Sequence, residues 1–550
     1  MTDVIIVGAG SAGCVLAHRL SADPKTRVLL LESGGSDRSL FIQMPTALSI
    51  PMNSPKYDWR YHTEPEPHLD GRRLHCPRGR VLGGSSSING MAYVRGHALD
   101  YDRWATQGAD GWAYADVLPY FRRAETHALG ADAYRGGDGP LNTSRRDGRT
   151  TPLYAAFVAA GRQAGYPVTA DPNGFQQEGF GPMDMTVHKG RRWSTANAYL
   201  KPALSRPNLR VETGVEVDRV VIEDGRATGV VVRRGGRTVT HRAAREVILS
   251  AGPLNSPKLL MLSGIGPGDH LAEAGVPVVH DLPGVGANLQ DHLELYVQQG
   301  CTKPVTLYRH MSWWGKARIG LRWLLFKDGL GATNHFETGA FIRSRPGVPH
   351  PDIQYHFLPI AMSYDGSSLT ERHGFQAHVG PMRSKSRGRV RLAGPDPAAP
   401  PSILFNYMSH PDDWADMRAC VRLTREIFGQ DAFAPFRGDE IAPGPDVTSD
   451  DAIDAFVRRT VQSAYHPSCT CPMGPDPAAG AVVDAAGRVH GLTGLRVVDS
   501  SVMPSITTGN LNAPTIMVAE KMADAIMGRP PLPRSDAPAC ESAGWRERQR

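Results

Sequence analysis

The sequence predicts an α/β protein, α+β overall, built round a Rossmann-like domain that the chain enters at its start and re-enters near its end. Three observations carry that expectation. Asp3 to Val7 is an apolar run, Gly8-Ala9-Gly10-Ser11-Ala12-Gly13 follows it, and Cys14 to Leu20 has helical character. A second apolar run, Val28 to Leu31, closes on Glu32. Near the far end, a strand over Arg496 to Asp499, a turn around Gly509-Asn510 and a helix over Ile516 to Met527 repeat the same order.

The opening unit is a strand, glycine turn, helix, strand and terminal acid, the pattern that binds a dinucleotide. Gly8 permits the tight turn, Gly10 lets backbone approach a pyrophosphate, and Gly13 lets helix and strand pack closely. The helix N-terminus then turns its positive dipole end to the phosphates. Glu32, 19 residues beyond Gly13, is placed to accept hydrogen bonds from a ribose. The motif does not choose between FAD and NAD.

Arg78 to Met91 is a second glycine- and serine-rich loop, with small side chains that let its backbone approach something flat. Residues 207–250 read as a strand-rich stretch, and Gly252 to Gly266 as turn, helix and turn. Residues 482–500 read as a hairpin-like pair of strands. Residues 303–460 lack glycine fingerprints and form a second domain inserted in a discontinuous cofactor domain. The division runs 1–155, 192–302 and 462–530 against 156–191 and 303–461. From about Pro530 the chain turns proline-rich and then polar, which predicts a disordered tail over 531–550.

Composition excludes several classes. With 550 residues, 41% of them hydrophobic, the chain can bury more than one core. A net charge of +6 is mild for this length and gives no case for nucleic acid. No apolar stretch reaches the length of a spanning helix. No basic segment precedes the first apolar run, which predicts a cytoplasmic protein. The seven cysteines are scattered and give no disulfide framework, and Cys469-Thr470-Cys471 has no second ligand pair to complete a metal site.

Several blocks together resemble the glucose–methanol–choline (GMC) flavin oxidoreductases. They are the opening fingerprint with Glu32, GRVLGGSSSINGMAYVRG at 79–96, GPLNSPKLLMLSGIG at 252–266, and His466-Pro467 with Asn510, 44 residues on. YDWRYHTEPEP (57–67), NHFETGAFIRSR (334–345), DIQYHFLP (352–359) and LFNYMSHPDDW (404–414) narrow the resemblance to family members that act on choline. The resemblance implies FAD, and an antiparallel-sheet substrate domain inserted in the cofactor domain. It implies oxidation of choline to betaine aldehyde, and on to glycine betaine, with electrons passing to a quinone or other respiratory acceptor. Another primary alcohol is the alternative substrate. It implies cofactor contacts at Gly8, Gly10, Gly13, Glu32, Gly84, Asn89, Val217 and Asp499. Some relatives attach FAD covalently through a His in the first signature. Ile88 stands at that point here, so the flavin is expected to be noncovalent. The run after the catalytic His reads His-Pro-Ser-Cys-Thr where a Gly is usual, and Pro514 stands where relatives often carry Thr.

Oxidising an alcohol with a flavin removes a hydroxyl proton and a hydride from the adjacent carbon. His466 is the candidate for hydroxyl activation, and Asn510 offers a neutral amide to orient the same oxygen. The paired His466 and Asn510 argue against a flavin-binding sensor without turnover. A quaternary ammonium needs a carboxylate, aromatic faces, or both. The resemblance places Glu294 at that group and makes His356 a second active-site His. Tyr465 and Phe336 are candidate cage faces, with Trp59 a weaker one. Ser312 to Lys327 (SWWGKARIGLRWLLFK) predicts an amphipathic helix. Such a stripe is expected to pack over the substrate pocket; the alternative is a peripheral contact with anionic lipid.

Overall fold

The computed structural model describes residues 2–363 and 369–550. Val4 to Val7 are buried, as are all five residues of Val28–Glu32, which is why both read as continuous apolar runs rather than alternating ones. They pair in parallel, Val4 opposite Val28 and Val7 opposite Leu31. Leu209–Thr213 pairs in parallel on the outer side of Val28–Glu32. The long strand Arg237–Leu249 changes partners along its length. Its first half pairs antiparallel with Arg226–Arg234. Its second half lies in parallel beside both Thr2–Val7 and Leu495–Val497. One sheet of seven strands therefore joins the beginning, the middle and the end of the chain.

The second sheet is antiparallel. Its order is Arg437–Ala442, Leu293–Cys301, Gly374–Pro381, Ile353–Leu358, Thr338–Ile342 and Gly179–Pro182, with Gln462–Ser463 added beside Leu293–Cys301. Alternation along its strands separates two faces. Tyr355, Phe357 and Phe375 point into an aromatic core with Phe157, Phe428 and Phe433, where ring centroids lie 4.6 to 6.3 Å apart. Gln354, His356, Gln376 and His378 occupy the alternate positions.

Four expectations are corrected. Strand Leu293–Cys301, placed by sequence with the cofactor segments, belongs to the second sheet. Within residues 482–500 the pairing is limited to the isolated bridges Val483 to Val489 and Arg488 to Arg496, with Val483 also bridging Met473, ahead of strand Leu495–Val497. Glycines with positive φ at 487, 491 and 494 interrupt any longer pairing. The tail is not disordered. It has no regular structure but lies along the protein: Leu532 N–H donates to the Tyr120 hydroxyl, Arg343 donates to the Arg548 carbonyl, and Arg550 pairs with Glu426. The helix Trp313–Phe326 is present, but Trp323 is its only buried residue, so its apolar stripe does not pack over the pocket.

Candidate active site

One cavity of about 930 Å³ is lined from both sheets, at the upper end of the usual size for small-molecule sites. At one end lies the opening glycine turn. Gly8 sits at φ +99°, and a Cβ there would meet the Ser250 carbonyl oxygen at 2.6 Å; a Cβ on Gly13 would meet the Gly8 carbonyl oxygen at 1.8 Å. Gly10 differs, because a Cβ there would find no protein atom nearer than 3.9 Å. Its glycine is not required by the fold, so the space beside it is left for a ligand. Gly84 comes back to back with Gly10, where a Cβ would meet the Gly10 Cα at 2.6 Å.

Two helix N-termini reach this end, Ser11–Leu20 and Asn512–Ile526, tied by the Ser11 hydroxyl donating to Asn512 Oδ1 at 2.8 Å. Their unpaired N–H groups and dipole ends favour an anion. Glu32 accepts the N–H groups of Ala9 and Gly34, and burial pushes its carboxyl up to about 7. Asn89 Oδ1 accepts from buried Arg192 and from Met91 N–H. Asp499 accepts from Gly252 N–H, the Ser256 hydroxyl and Ser501 N–H, so it fixes two loops at the cavity wall. Val217 lines the same space.

His466 and Asn510 lie at the other end with His356, Glu294, His378, Phe336 and Tyr465. The hydrogen-bond chain fixes the tautomers. His292 Nε2 is 3.1 Å from the Met382 carbonyl oxygen, which only accepts, so that nitrogen carries the proton. Burial holds His292 down to about 4, so its ring is neutral at pH 7 and Nδ1 accepts. His466 Nδ1 lies 3.0 Å away and donates. His466 Nε2 is left with a lone pair, and Asn510 Nδ2 donates to it at 3.0 Å. The Asn510 Oδ1 accepts from Gln354 at 3.1 Å and His356 at 3.3 Å, which sets the amide's orientation. Burial, with His292 and His356 nearby, holds His466 well below the usual imidazole value. It is a neutral ring whose proton-accepting nitrogen faces the cavity at the Asn510 amide.

Asp291 supports this arrangement from behind. It accepts His466 N–H at 2.7 Å and the hydroxyls of Tyr407 and Ser463, both at 2.5 Å. Arg78 donates to the Tyr465 carbonyl at 2.7 Å, and Tyr465 itself sits at φ +65°. Glu294 Oε1 is 3.3 Å from His378 Nδ1. The Phe336 ring stands edge-on to His356 and His378, with centroids 5.4 and 6.0 Å away.

Comparison with known proteins fits this layout. The GMC oxidoreductase N-terminal model matches residues 2–294, and the C-terminal model matches residues 384–519. The chain belongs to the GMC oxidoreductase family. An oxygen-dependent choline dehydrogenase of Photobacterium profundum is 60% identical over 549 residues, covering 100% of this chain and 97% of that protein. Among solved structures, a pyridoxine 4-oxidase from Mesorbium loti is 33% identical with a TM-score of 0.88, over 96% of this chain and 100% of that one. A formate oxidase of Aspergillus oryzae, studied for FAD modification, is 26% identical with a TM-score of 0.90, over 96% and 98%.

The GMC cofactor FAD fits the residues present. The space beside Gly10, the two helix N-termini and the carboxylate of Glu32 match a pyrophosphate and a ribose. The Ser250 hydroxyl, buried beside Gly8, finds no partner among the described residues, so a donor and acceptor remain for the ligand.

Of the fourteen cofactor, substrate and catalytic candidates singled out from this GMC sequence, thirteen line the one cavity, and Gly13 packs behind it. Trp59 is a correction in kind. It lines the cavity, but its faces are engaged by Tyr61, stacked at 5.7 Å, and by the Arg80 guanidinium at 4.7 Å. Asp291, His292, Gln354 and His378 escape the sequence reading. The last two had a signal. Gln354-Tyr355-His356 and Gln376-Ala377-His378 are the same polar alternation on neighbouring strands, with His356 opposite His378.

Two outcomes follow. Gly10→Ala should leave thermal unfolding nearly unchanged but reduce the flavin content of the purified protein, whereas Gly13→Ala should lower both. Equal loss of fold in the two variants would show that Gly10 serves packing alone. His292→Phe removes the acceptor for His466 Nδ1–H. Turnover should fall by about 10²-fold or more with little change in KM, and His292→Gln, which keeps an acceptor, should recover part of it.

Proposed function

We propose that the protein is an FAD-dependent choline dehydrogenase, oxidising choline to betaine aldehyde. One observation carries the reading. A buried carboxylate and an aromatic ring, Glu294 with Phe336, lie in the same cavity as a neutral imidazole whose proton-accepting nitrogen meets a fixed amide. The first set suits a quaternary ammonium, whose charge no base can remove. The second suits a primary alcohol. The name carried by the 60% identical relative supports the same substrate.

In this reading the hydroxyl inserts between His466 Nε2 and Asn510 Nδ2–H. His466 Nε2 takes the hydroxyl proton, and Asn510 donates to the oxygen as negative charge grows on it. His292 holds the lone pair of His466 on the substrate side throughout, and Asp291 fixes the His466 backbone. Gln354 and His356 keep the Asn510 amide from turning over. Glu294 and an aromatic face hold the trimethylammonium end, so the carbinol carbon has one orientation in the cavity. Bound FAD supplies the hydride acceptor. Hydrated betaine aldehyde is a gem-diol, again an alcohol, and the same groups take it to glycine betaine.

The flavin is held noncovalently, since Ile88, buried against Ile42 and Val81, has no atom able to attach it. Electrons leave to a quinone or another respiratory acceptor. The protein works on the cytoplasmic side, with a peripheral contact at the inner face of the membrane. Among the described residues no helix is long and apolar enough to cross one.

Anaerobic addition of choline should bleach the oxidised-flavin band. Glu294→Gln should bleach at a similar limiting rate but need roughly 10-fold or more choline to half-saturate, as loss of a partly buried charge partner would require. His466→Ala should bind choline and bleach at least about 10²-fold more slowly. A band that choline leaves untouched overturns the substrate, and an unchanged half-saturation in Glu294→Gln overturns the carboxylate's role. Acid precipitation should release the flavin to the supernatant; colour retained on the pellet would refute noncovalent binding.

A further inference from the structure

The helix Trp313–Phe326 carries more exposed apolar surface than any core-packed helix would leave in water. Trp313 is 69% exposed, Trp314 76%, Leu321 59%, Leu324 49% and Leu325 64%. At about 100° per residue these five positions fall within one arc of about 120°. That is the width of a stripe that normally faces a core. Here the opposite side is the attached one. Trp323 is buried, and its indole N–H donates to the Gly190 carbonyl at 2.6 Å. A Cβ on Gly331 would meet the Trp323 Cβ at 2.6 Å, so the following turn closes tightly over the same ring. The helix is fastened by one edge, and its apolar arc points away.

Charge is arranged round that arc in a definite way. By the same rotation, Lys316 and Lys327 fall on one flank of the arc and Arg318 and Arg322 on the other, at angles of about 20 to 60° beyond its edges. Asp328, the one acid at the helix end, is taken up by Arg322 at 2.7 Å. Lys327 lies close enough to Arg191 for the two cations to oppose each other's charge. The N-terminus is capped by the Ser312 hydroxyl, which accepts from Gly315 N–H. Lys327, in the left-handed region, closes the C-terminus by donating to the carbonyls of Trp323 and Leu324.

We infer that this helix lies in the surface of an anionic lipid bilayer, its tryptophan and leucine arc in the acyl boundary and its two cationic flanks at the headgroups. An arc bordered on both sides by cations matches a plane of phosphates with an apolar layer beneath it. A second copy of this chain would bring the same four cations against themselves across a two-fold axis, which disfavours a dimer through this face. The inference gives an element and a lipid class to the peripheral contact proposed above. It rests on that contact and not on the choline reading.

The test uses the flavin-loaded protein and sucrose-filled vesicles of phosphatidylglycerol and phosphatidylcholine, followed by flavin absorbance in the pellet. The protein should sediment with the anionic vesicles at low salt and remain in solution with pure phosphatidylcholine. Its tryptophan emission should shift to the blue on binding. Lys316→Glu with Arg318→Glu should abolish sedimentation. So should Leu321→Glu with Leu324→Glu and Leu325→Glu, at exposed positions that no buried contact needs. Turnover with a soluble dye acceptor should be unchanged in both, which separates failure to dock from failure of the choline reading. Protein that stays in the supernatant at low salt, or a leucine variant that still sediments, overturns the inference. So does a lipid-free dimer that the leucine changes convert to monomer, because that result gives the arc to a second copy.

Discussion

The carboxylate of Asp291 is the constraint on which the rest of the site depends. It is buried, and burial pushes its carboxyl up to about 6 even though it accepts from two hydroxyls and one backbone N–H on two separate segments. Removing any one of those donors would leave a buried acceptor short of partners, which is costly. The segment carrying Asp291 runs directly into strand Leu293–Cys301 of the antiparallel sheet. The segments it grips are the loop at Tyr407 and the approach to His466. One side chain thus fixes the distance between the sheet that shapes the cavity and the loop that carries the His466 imidazole. The next residue, His292, fixes which nitrogen of that imidazole holds the proton.

A polar sheet face inside a protein is costly unless every group on it is satisfied. Here the groups satisfy one another. Gln376 donates to the Met362 carbonyl and lies 2.6 Å from His378 Nε2, while Gln354 and His356 hold Asn510. The reverse face of the same strands is aromatic and packs tightly. The alternation of a β-strand is therefore used twice, once to build a core and once to line a site.

The cofactor end was legible in the sequence because its constraints are local. Gly8, Gly10, Gly13 and Glu32 act within one strand–helix–strand unit, and backbone geometry alone fixes their spacing. The pair His466 and Asn510 was legible only through resemblance, since nothing in their spacing brings two loops together. Asp291 and His292 stand within three residues of Glu294, but their partners at Tyr407, Ser463 and Met382 are distant in sequence. The Gln-x-His alternation was visible and unread, because a lone polar alternation more often marks a solvated edge. The helix Trp313–Phe326 shows the reverse failure. Its period was read correctly, but periodicity gives the width of an apolar stripe and not what the stripe faces. The tail shows the limit of composition: proline-rich and polar sequence can still be held by a few side chains at fixed points.

Glu294, His378 and His356 sit on three adjacent strands of one sheet, whereas His466 and Asn510 come from loops that return to the parallel sheet. Under the proposed function, recognition and proton handling are therefore built on two scaffolds, joined where Asp291 and His292 meet His466 and where His356 meets Asn510. On that reading, exchanging Glu294 changes which molecule is held while the imidazole, its tautomer and the flavin pocket stay, whereas His356 is tied to the imidazole through Asn510. A lineage with this architecture can diversify its diet one strand position at a time while its redox core stays the same.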